Sequence, residues 1–229
     1  MKIGIIGAVK TEIIFLRKKI KKCTIKEIGN HKFYNGYLHG INIIILKSGI
    51  GKVSASMVTT LLISCYNPDI IINIGSAGSI NSLLKIQDTI IPNRTSYYDV
   101  DVSIFNYSIG QIPKYPKFFF VNSELLDIAK KCMYKLDYIF KSGLILTGDS
   151  FIHKKNVLLS IIKHFPSAVA IDMESAAIAQ VCYNFKKPML IIRAISDCAN
   201  KYAAFNFKKN IEKASHHASI IIEEILKNI

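Results

Sequence analysis

The chain has 229 residues, half of them apolar and only 20% charged, with a formal net charge of +14. This balance supports a large buried core and excludes an intrinsically disordered chain. No apolar run approaches the roughly 18 residues of a membrane-spanning helix, and Lys10 and Glu12 interrupt the opening run before a secretory signal forms, so a soluble, cytoplasmic protein with no membrane partner is expected.

Taken in chain order, "KIGIIG" (2–7) predicts a buried strand, and a helix follows from about Lys10 to Lys21 with Ile13, Ile14, Leu16 and Ile20 apolar. "HKFYNGYL" (31–38) and "INIIILKS" (41–48) flank His39-Gly40 as a hairpin. The turn Gly49-Ile50-Gly51 leads into a helix over 53–65. "DIIINIG" (69–75) is a continuous apolar strand that ends in a glycine-rich turn, and "DTIIP" (88–92) is a short strand. Residues 93–120 are irregular, aromatic and proline-containing, and predict a long functional loop. A helix over 123–136 takes Ser123 as its N-cap. Strands are predicted over 142–148, 167–172 and 188–196, and helices over 154–164, 174–185 and 208–227. Apolar strands alternating with helices imply a sheet covered on both faces. The expected architecture is one α/β domain spanning 1–229, with a central mixed, mostly parallel twisted sheet flanked by helices.

The five cysteines are scattered, no CxxC occurs, and no Cys/His cluster has zinc spacing. His216 and His217 are adjacent, which on a helix points them about 100° apart and makes a poor metal pair. Neither a metal nor another cofactor is expected. The lysines are spread along the chain as doublets, and no zinc finger, arginine-rich arm or aromatic RNA-binding motif accompanies them. A joint excess of Ile, Lys and Asn is what AT-rich codon drift produces, so no nucleic-acid partner is expected.

Ligands of parallel sheets lie beyond the carboxyl ends of the strands. Reading each strand to that edge collects Gly7, Ala8 and Glu12; Ser48, Gly49 and Gly51; Gly75, Ser76, Ala77 and Gly78; Asp149 and Phe151; Asp172, Met173 and Glu174; and Arg193, Ser196 and Asp197. Taken singly the motifs are weaker. "GIGKVS" looks like half a P-loop, but the spacing fails because position 46 is Leu and position 53 is Val. "GIIGAV" lacks the dinucleotide fingerprint, and "GSAGS" is either a tight turn or an oxygen-binding nest. Glu12 also fits an ordinary first-turn helix acid, and Asp197 a helix cap. Arg193, inside an apolar strand, must find a partner, for which Asp172 and Glu174 both qualify.

The segments "MKIGIIGAVKTE", "LKSGIGKVSAS", "PDIIINIGSAGS", "GDSFI", "AIDMESAAIAQVC" and "IRAISD" together resemble the 5′-methylthioadenosine/S-adenosylhomocysteine nucleosidases of the purine nucleoside phosphorylase superfamily. The resemblance runs from Met1 to the last helix. It implies hydrolysis of the N-glycosidic bond between adenine and a 5′-thio-substituted ribose, in methionine salvage and clearance of S-adenosylmethionine by-products. By resemblance, Asp197 protonates adenine N7, Glu12 positions and activates the water, and Glu174 holds the ribose hydroxyls with the Met173 backbone in support. Ser76 and Arg193 lie around the water and ribose, and Gly78 and Ser196 join the substrate-binding set. Phe151 stacks on adenine while the Ile152 backbone reads its edge. Val9, Ile50 and Phe207 line an apolar 5′-thio pocket. Val102, Phe105 and Pro113 resemble the segment that reaches into a neighbouring subunit's pocket, which implies a homodimer with shared sites.

Three positions depart from the family pattern. Val9 stands where Met is frequent, Ser150 where Ala is usual, and Asp172 where Glu is usual, so an Asp172–Arg193 contact is expected to be shorter or water-bridged. The rival readings are a phosphorylase, which needs cationic donors where phosphate enters, and a nucleosidase for another adenine nucleoside of the futalosine type.

Overall fold

The isoleucine-rich runs form the centre of one mixed sheet of twelve strands, described over residues 1–80 and 84–229 in a computed structural model. In chain order the strands are β1 (Lys2–Gly7), β2 (Lys21–Ile28), β3 (His31–Leu38), β4 (Ile41–Lys47), β5 (Ile70–Ser79) and β6 (Thr89–Ile90). They continue with β7 (Arg94–Tyr97), β8 (Phe119–Phe120), β9 (Phe140–Lys141), β10 (Leu144–Thr147), β11 (Ala168–Asp172) and β12 (Met189–Asp197). The helices are α1 (Lys10–Arg17), α2 (Lys52–Tyr66), α3 (Ser123–Lys135), α4 (Lys155–His164), α5 (Ser175–Asn184) and α6 (Ala203–Leu226).

The pairs at the centre are parallel: β1 with β4 and β5, and β5 with β12. The glycine-rich turn expected after residue 75 is instead the continuation of β5 to Ser79, and this far end pairs antiparallel with β11 through Gly78 and Ser79. Both faces of the central strands are covered. A Cβ at Gly4 would meet Leu62 of α2, whereas one at Gly7 would meet Ile13 of α1. Positions an odd number apart on a strand face opposite ways, so these two helices lie on opposite sides of β1. This explains why Ile3, Ile5, Ile6, Ile43 to Leu46 and Ile70 to Ile72 read as unbroken apolar runs: all are buried.

Several expectations need correction. The first helix ends at Arg17, and Lys18 to Ile20 turn directly into β2, which the sequence did not signal. Strand β2 sits at the sheet edge with every residue from Lys21 to Glu27 exposed, so no face selects apolar residues and the period-2 pattern is absent. Its lysines suit an edge that must not pair with another chain. The region 93–120 is not wholly irregular. It contains β7, a 3₁₀ turn at Ser103–Phe105, and β8. In β7, Thr95 and Ser96 are buried polar residues; Ser96 Oγ donates to the Lys117 carbonyl at 2.7 Å, whereas Thr95 Oγ1 is buried with no hydrogen-bond partner among the described residues. A strand whose buried positions are taken by Thr and Ser carries no apolar signature. The N-cap of α3 is Asn122, whose side chain accepts from Leu125 N–H, and not Ser123. Helix α6 begins at Ala203, five residues before the expected start, which places Phe207 and Lys208 on its second turn.

Candidate active site

The carboxyl ends of β1, β5, β11 and β12 open onto one cavity of about 250 Å³. Val9, Glu12, Ile50, Ser76, Gly78, Phe151, Ile152, Met173, Glu174, Ser196, Asp197 and Phe207 all line it, as the sequence predicts for a single site. Arg193 lies one layer behind them, buried. Val102, Phe105 and Pro113 do not reach this cavity; Phe105 is 71% exposed at the 3₁₀ turn. Lys208 and Ala204 also line it; the apolar pattern does not signal them, because α6 begins at Ala203, ahead of its apolar stripe.

Glu12 is the third residue of α1, and its carboxylate turns back over the helix start. Oε2 accepts from the N–H groups of Ala8 (2.7 Å) and Val9 (3.1 Å), while Oε1 accepts from Ser76 N–H (2.9 Å) and Ser76 Oγ (2.9 Å). The first-turn helix acid and the site residue are therefore the same arrangement: one carboxylate joins the turn after β1 to Ser76 within strand β5. Glycine is required beneath it. A Cβ at Gly75 would overlap the Arg193 guanidinium and lie 2.9 Å from Glu12 Oε1.

Asp172 and Glu174 separate into different roles. Arg193 Nε donates to Asp172 Oδ2 at 2.9 Å, a direct contact rather than a water-bridged one. Asp172 Oδ1 accepts from Thr147 Oγ1 (2.6 Å) and the Glu174 and Ser175 N–H groups, and Ser175 Oγ donates to Oδ2. Arg193 also donates to Asn73 Oδ1 (2.7 Å) and Ser175 Oγ (3.0 Å). This satisfied cluster ties β5, β11, α5 and β12 together at their site ends. Glu174 stands apart from it: Oε1 accepts from Gly51 N–H at 3.0 Å, and Oε2 is 3.9 Å from Arg193. Burial, followed by the neighbouring Asp172 charge, pushes the Glu174 carboxyl up to about 8, with Arg193 acting against both.

Asp197 ends β12. Oδ2 accepts from Ser196 Oγ and Oδ1 from Ala199 N–H, each at 2.9 Å, so it does cap the following turn. Burial nevertheless raises its pKa above the usual range, outweighing those two hydrogen bonds. Phe151 and Phe207 meet edge to face across the cavity, centroids 5.9 Å apart. The site thus offers two carboxyl groups with raised pKa values, Glu174 and Asp197, two further carboxylates, Glu12 and Asp172, and an aromatic clamp. Lys208 is the one cation among its described lining residues. No cluster of His, Cys, Asp and Glu able to hold a metal ion occurs among the described residues, and none of their helices is long and apolar enough to cross a membrane.

Residues 2–227 match the family model described as the phosphorylase superfamily. A 5′-methylthioadenosine/S-adenosylhomocysteine nucleosidase of Buchnera aphidicola subsp. Schizaphis graminum (strain Sg) is 51% identical over 229 residues, covering 100% of this chain and 97% of that protein. The Neisseria meningitidis nucleosidase of the same description, solved in complex with methylthio-immucillin-A, superposes with a TM-score of 0.98 at 36% identity, over 100% of this chain and 99% of that one. The futalosine hydrolase of Helicobacter pylori strain 26695 superposes at 0.96 with 30% identity, over 100% of this chain and 98% of that one.

Proposed function

The chain belongs to the 5′-methylthioadenosine/S-adenosylhomocysteine nucleosidases of the phosphorylase superfamily, and on that premise we propose that it hydrolyses the N-glycosidic bond of both thio-nucleosides, releasing adenine and the 5-thio-substituted ribose. The observation that carries the reading is the meeting of Glu12, Glu174 and Asp197 in one cavity with Phe151, Ile152 and Phe207.

Adenine is a poor leaving group as an anion, so its departure needs a proton at N7. Asp197 supplies it: a carboxyl raised by burial keeps its proton nearer neutrality and delivers it where charge develops. Phe151 offers a face for the base, and the Ile152 backbone reads its edge. Glu174 accepts from the ribose 2′- and 3′-hydroxyls while the Met173 backbone supports it. Ionised, it also favours the positive charge that grows on the ribose as the glycosidic bond breaks.

The four acceptor positions of Glu12 are taken by Ala8, Val9 and the two Ser76 donors. Of these donors only the Ser76 hydroxyl can turn, so the attacking water enters by taking its place on Oε1. Glu12 then orients the water and accepts its proton, while Arg193 holds the scaffold behind the ribose. Val9, Ile50 and Phe207 receive the 5′-thio substituent, and a homodimer brings Val102, Phe105 and Pro113 to the partner's pocket. This activity serves methionine salvage and removes S-adenosylmethionine by-products in the cytoplasm.

Water is favoured over phosphate because the segment after β1 offers Glu12 and no arginine, its Lys10 being exposed and outside the cavity lining, and Arg193 is engaged by Asp172, Asn73 and Ser175. The futalosine hydrolase shares the fold, so fold alone does not separate the two substrates. A panel of 5′-thio, 5′-hydroxyl and 5′-phosphate adenine nucleosides, with futalosine beside them, does. The expected order places 5′-methylthioadenosine and S-adenosylhomocysteine first. Faster turnover of adenosine or of futalosine would overturn the assignment.

A further inference from the structure

Two stretches at the rim of the cavity, "GIGK" and "GDSF", carry charged residues to which hydrolysis assigns nothing: Lys52 and Asp149. Helix α2 starts after Gly51 with no side-chain cap and no acid in its first turn, so its first N–H groups need acceptors from elsewhere. Two carboxylates from distant parts of the chain provide them. Glu174 accepts from Gly51 N–H at 3.0 Å, and Asp149 Oδ1 accepts from Lys52 N–H at 2.8 Å. The Lys52 ammonium turns back to Asp99 Oδ2 at 2.7 Å and Asp149 Oδ2 at 3.8 Å, and Asp99 Oδ2 accepts from Asp149 N–H at 2.9 Å. The three residues close a ring. Beside it, Tyr98 OH donates to the Ser150 carbonyl at 2.8 Å. Gly51 has φ +94°, and a Cβ there would stand 3.0 Å from Asp149 Oδ1, so the close approach depends on glycine.

A partly exposed ion pair by itself is worth little. Here, however, the ring joins two segments that both line the cavity. One contains Ile50 and the Gly51 N–H that Glu174 uses. The other runs from Asp149 straight into Ser150, Phe151 and Ile152. We propose that Asp149, with Lys52 and Asp99, is a latch of positioning residues that holds the start of α2 against the Phe151–Ile152 segment and thereby sets the distance between ribose clamp and base platform. None of the three lines the cavity. Its kinetic consequence rests on the hydrolysis reading, whereas the coupling of the two segments does not.

The test compares Asp149→Ala, Asp149→Asn, Lys52→Met and the double variant Lys52→Met/Asp149→Ala in the full chain. Asp149→Ala raises KM for 5′-methylthioadenosine roughly tenfold with kcat little changed, since what is lost is placement of the bound nucleoside. Asp149→Asn keeps an acceptor for Lys52 N–H and restores most of that loss. The double variant is less impaired than the product of the single effects, as members of one ring require. Amide hydrogen exchange at 49–53 and 148–153 accelerates together in Asp149→Ala and in Lys52→Met, while the thermal midpoint stays close to that of the parent. If exchange rises in only one segment, or in neither, the latch is overturned. If both rise and KM is unmoved, the positioning role is overturned. Should the parent protein cleave no thio-nucleoside, the functional reading fails and the exchange result still decides the latch.

Discussion

Burial pushes Asp197 and Glu174 in the same direction, toward the neutral acid, yet the proposed chemistry wants different forms of the two. In the proposed reaction Asp197 holds its proton until adenine leaves, so the shift serves it. Asp197→Asn and Glu12→Gln are each expected to lower kcat by roughly 10²-fold or more, the usual scale for acid–base groups. Wild-type rates in both variants would remove the roles assigned to them. Glu174 must accept from the ribose, which calls for the ionised form. Nucleoside affinity is therefore expected to rise with pH up to about 8, where Glu174 loses its proton unaided, and Glu174→Gln abolishes that dependence in a direct binding titration. The same shift acts on stability. A carboxyl whose folded pKa of about 8 exceeds its ordinary 4.5 binds more protons in the folded state, so its cost grows from near pH 4.5 and levels off above about 8. Glu174→Gln escapes this cost. Denaturant titrations should find it matching the parent below pH 4.5 and exceeding it at pH 8–9; an excess that shrinks with rising pH would contradict the shift.

At the scale of elements, Arg193 on β12 ties β5, β11 and α5 into a frame through Asp172, Asn73 and Ser175. Arg193→Met leaves Asp172 and Glu174 buried without a cation, and unfolding titrations should find a loss of about 3–5 kcal/mol, the cost typical of breaking a buried pair. A loss well under about 1 kcal/mol, the scale of an exposed pair, would mean that the frame does not depend on it. The need for such a partner is visible in the sequence, because an arginine inside an apolar strand cannot stay buried and charged without a counter-charge. Which acid it takes is not visible, since Asp172 and Glu174 differ only by two positions and a helix start. The same limit governs the strands. Those buried on both faces announce themselves as isoleucine runs, and their carboxyl ends locate the cavity. Strand β2 is exposed along nearly its whole length and β7 is buried through Thr95 and Ser96, so neither leaves a hydrophobic period to read. Lys208 escaped notice for a related reason: the first turn of α6 leaves Ala204 and Phe205 exposed, and the apolar stripe begins only later.

For the molecule as a whole, the expected partner contact falls on the segment bearing Val102, Phe105 and Pro113. Ile104 and Phe105 are exposed there, as are Val53 and Met57 on α2. Sedimentation is expected to give twice the chain mass, and Phe105→Glu is expected to shift it toward one chain and raise KM for the thio-nucleosides; a parent protein that sediments as one chain would contradict shared sites. Part of the +14 charge lies on β2, whose lysines suit a strand that pairs with β3 at the edge of the sheet. The central claim is that water, placed by Glu12, replaces adenine on the ribose. Its most direct test is turnover of 5′-methylthioadenosine in ¹⁸O-labelled water with and without phosphate, with products identified by mass. The expected result is free adenine and a thio-ribose carrying one labelled oxygen at a rate indifferent to phosphate. A ribose 1-phosphate product, or no release of adenine, would contradict it.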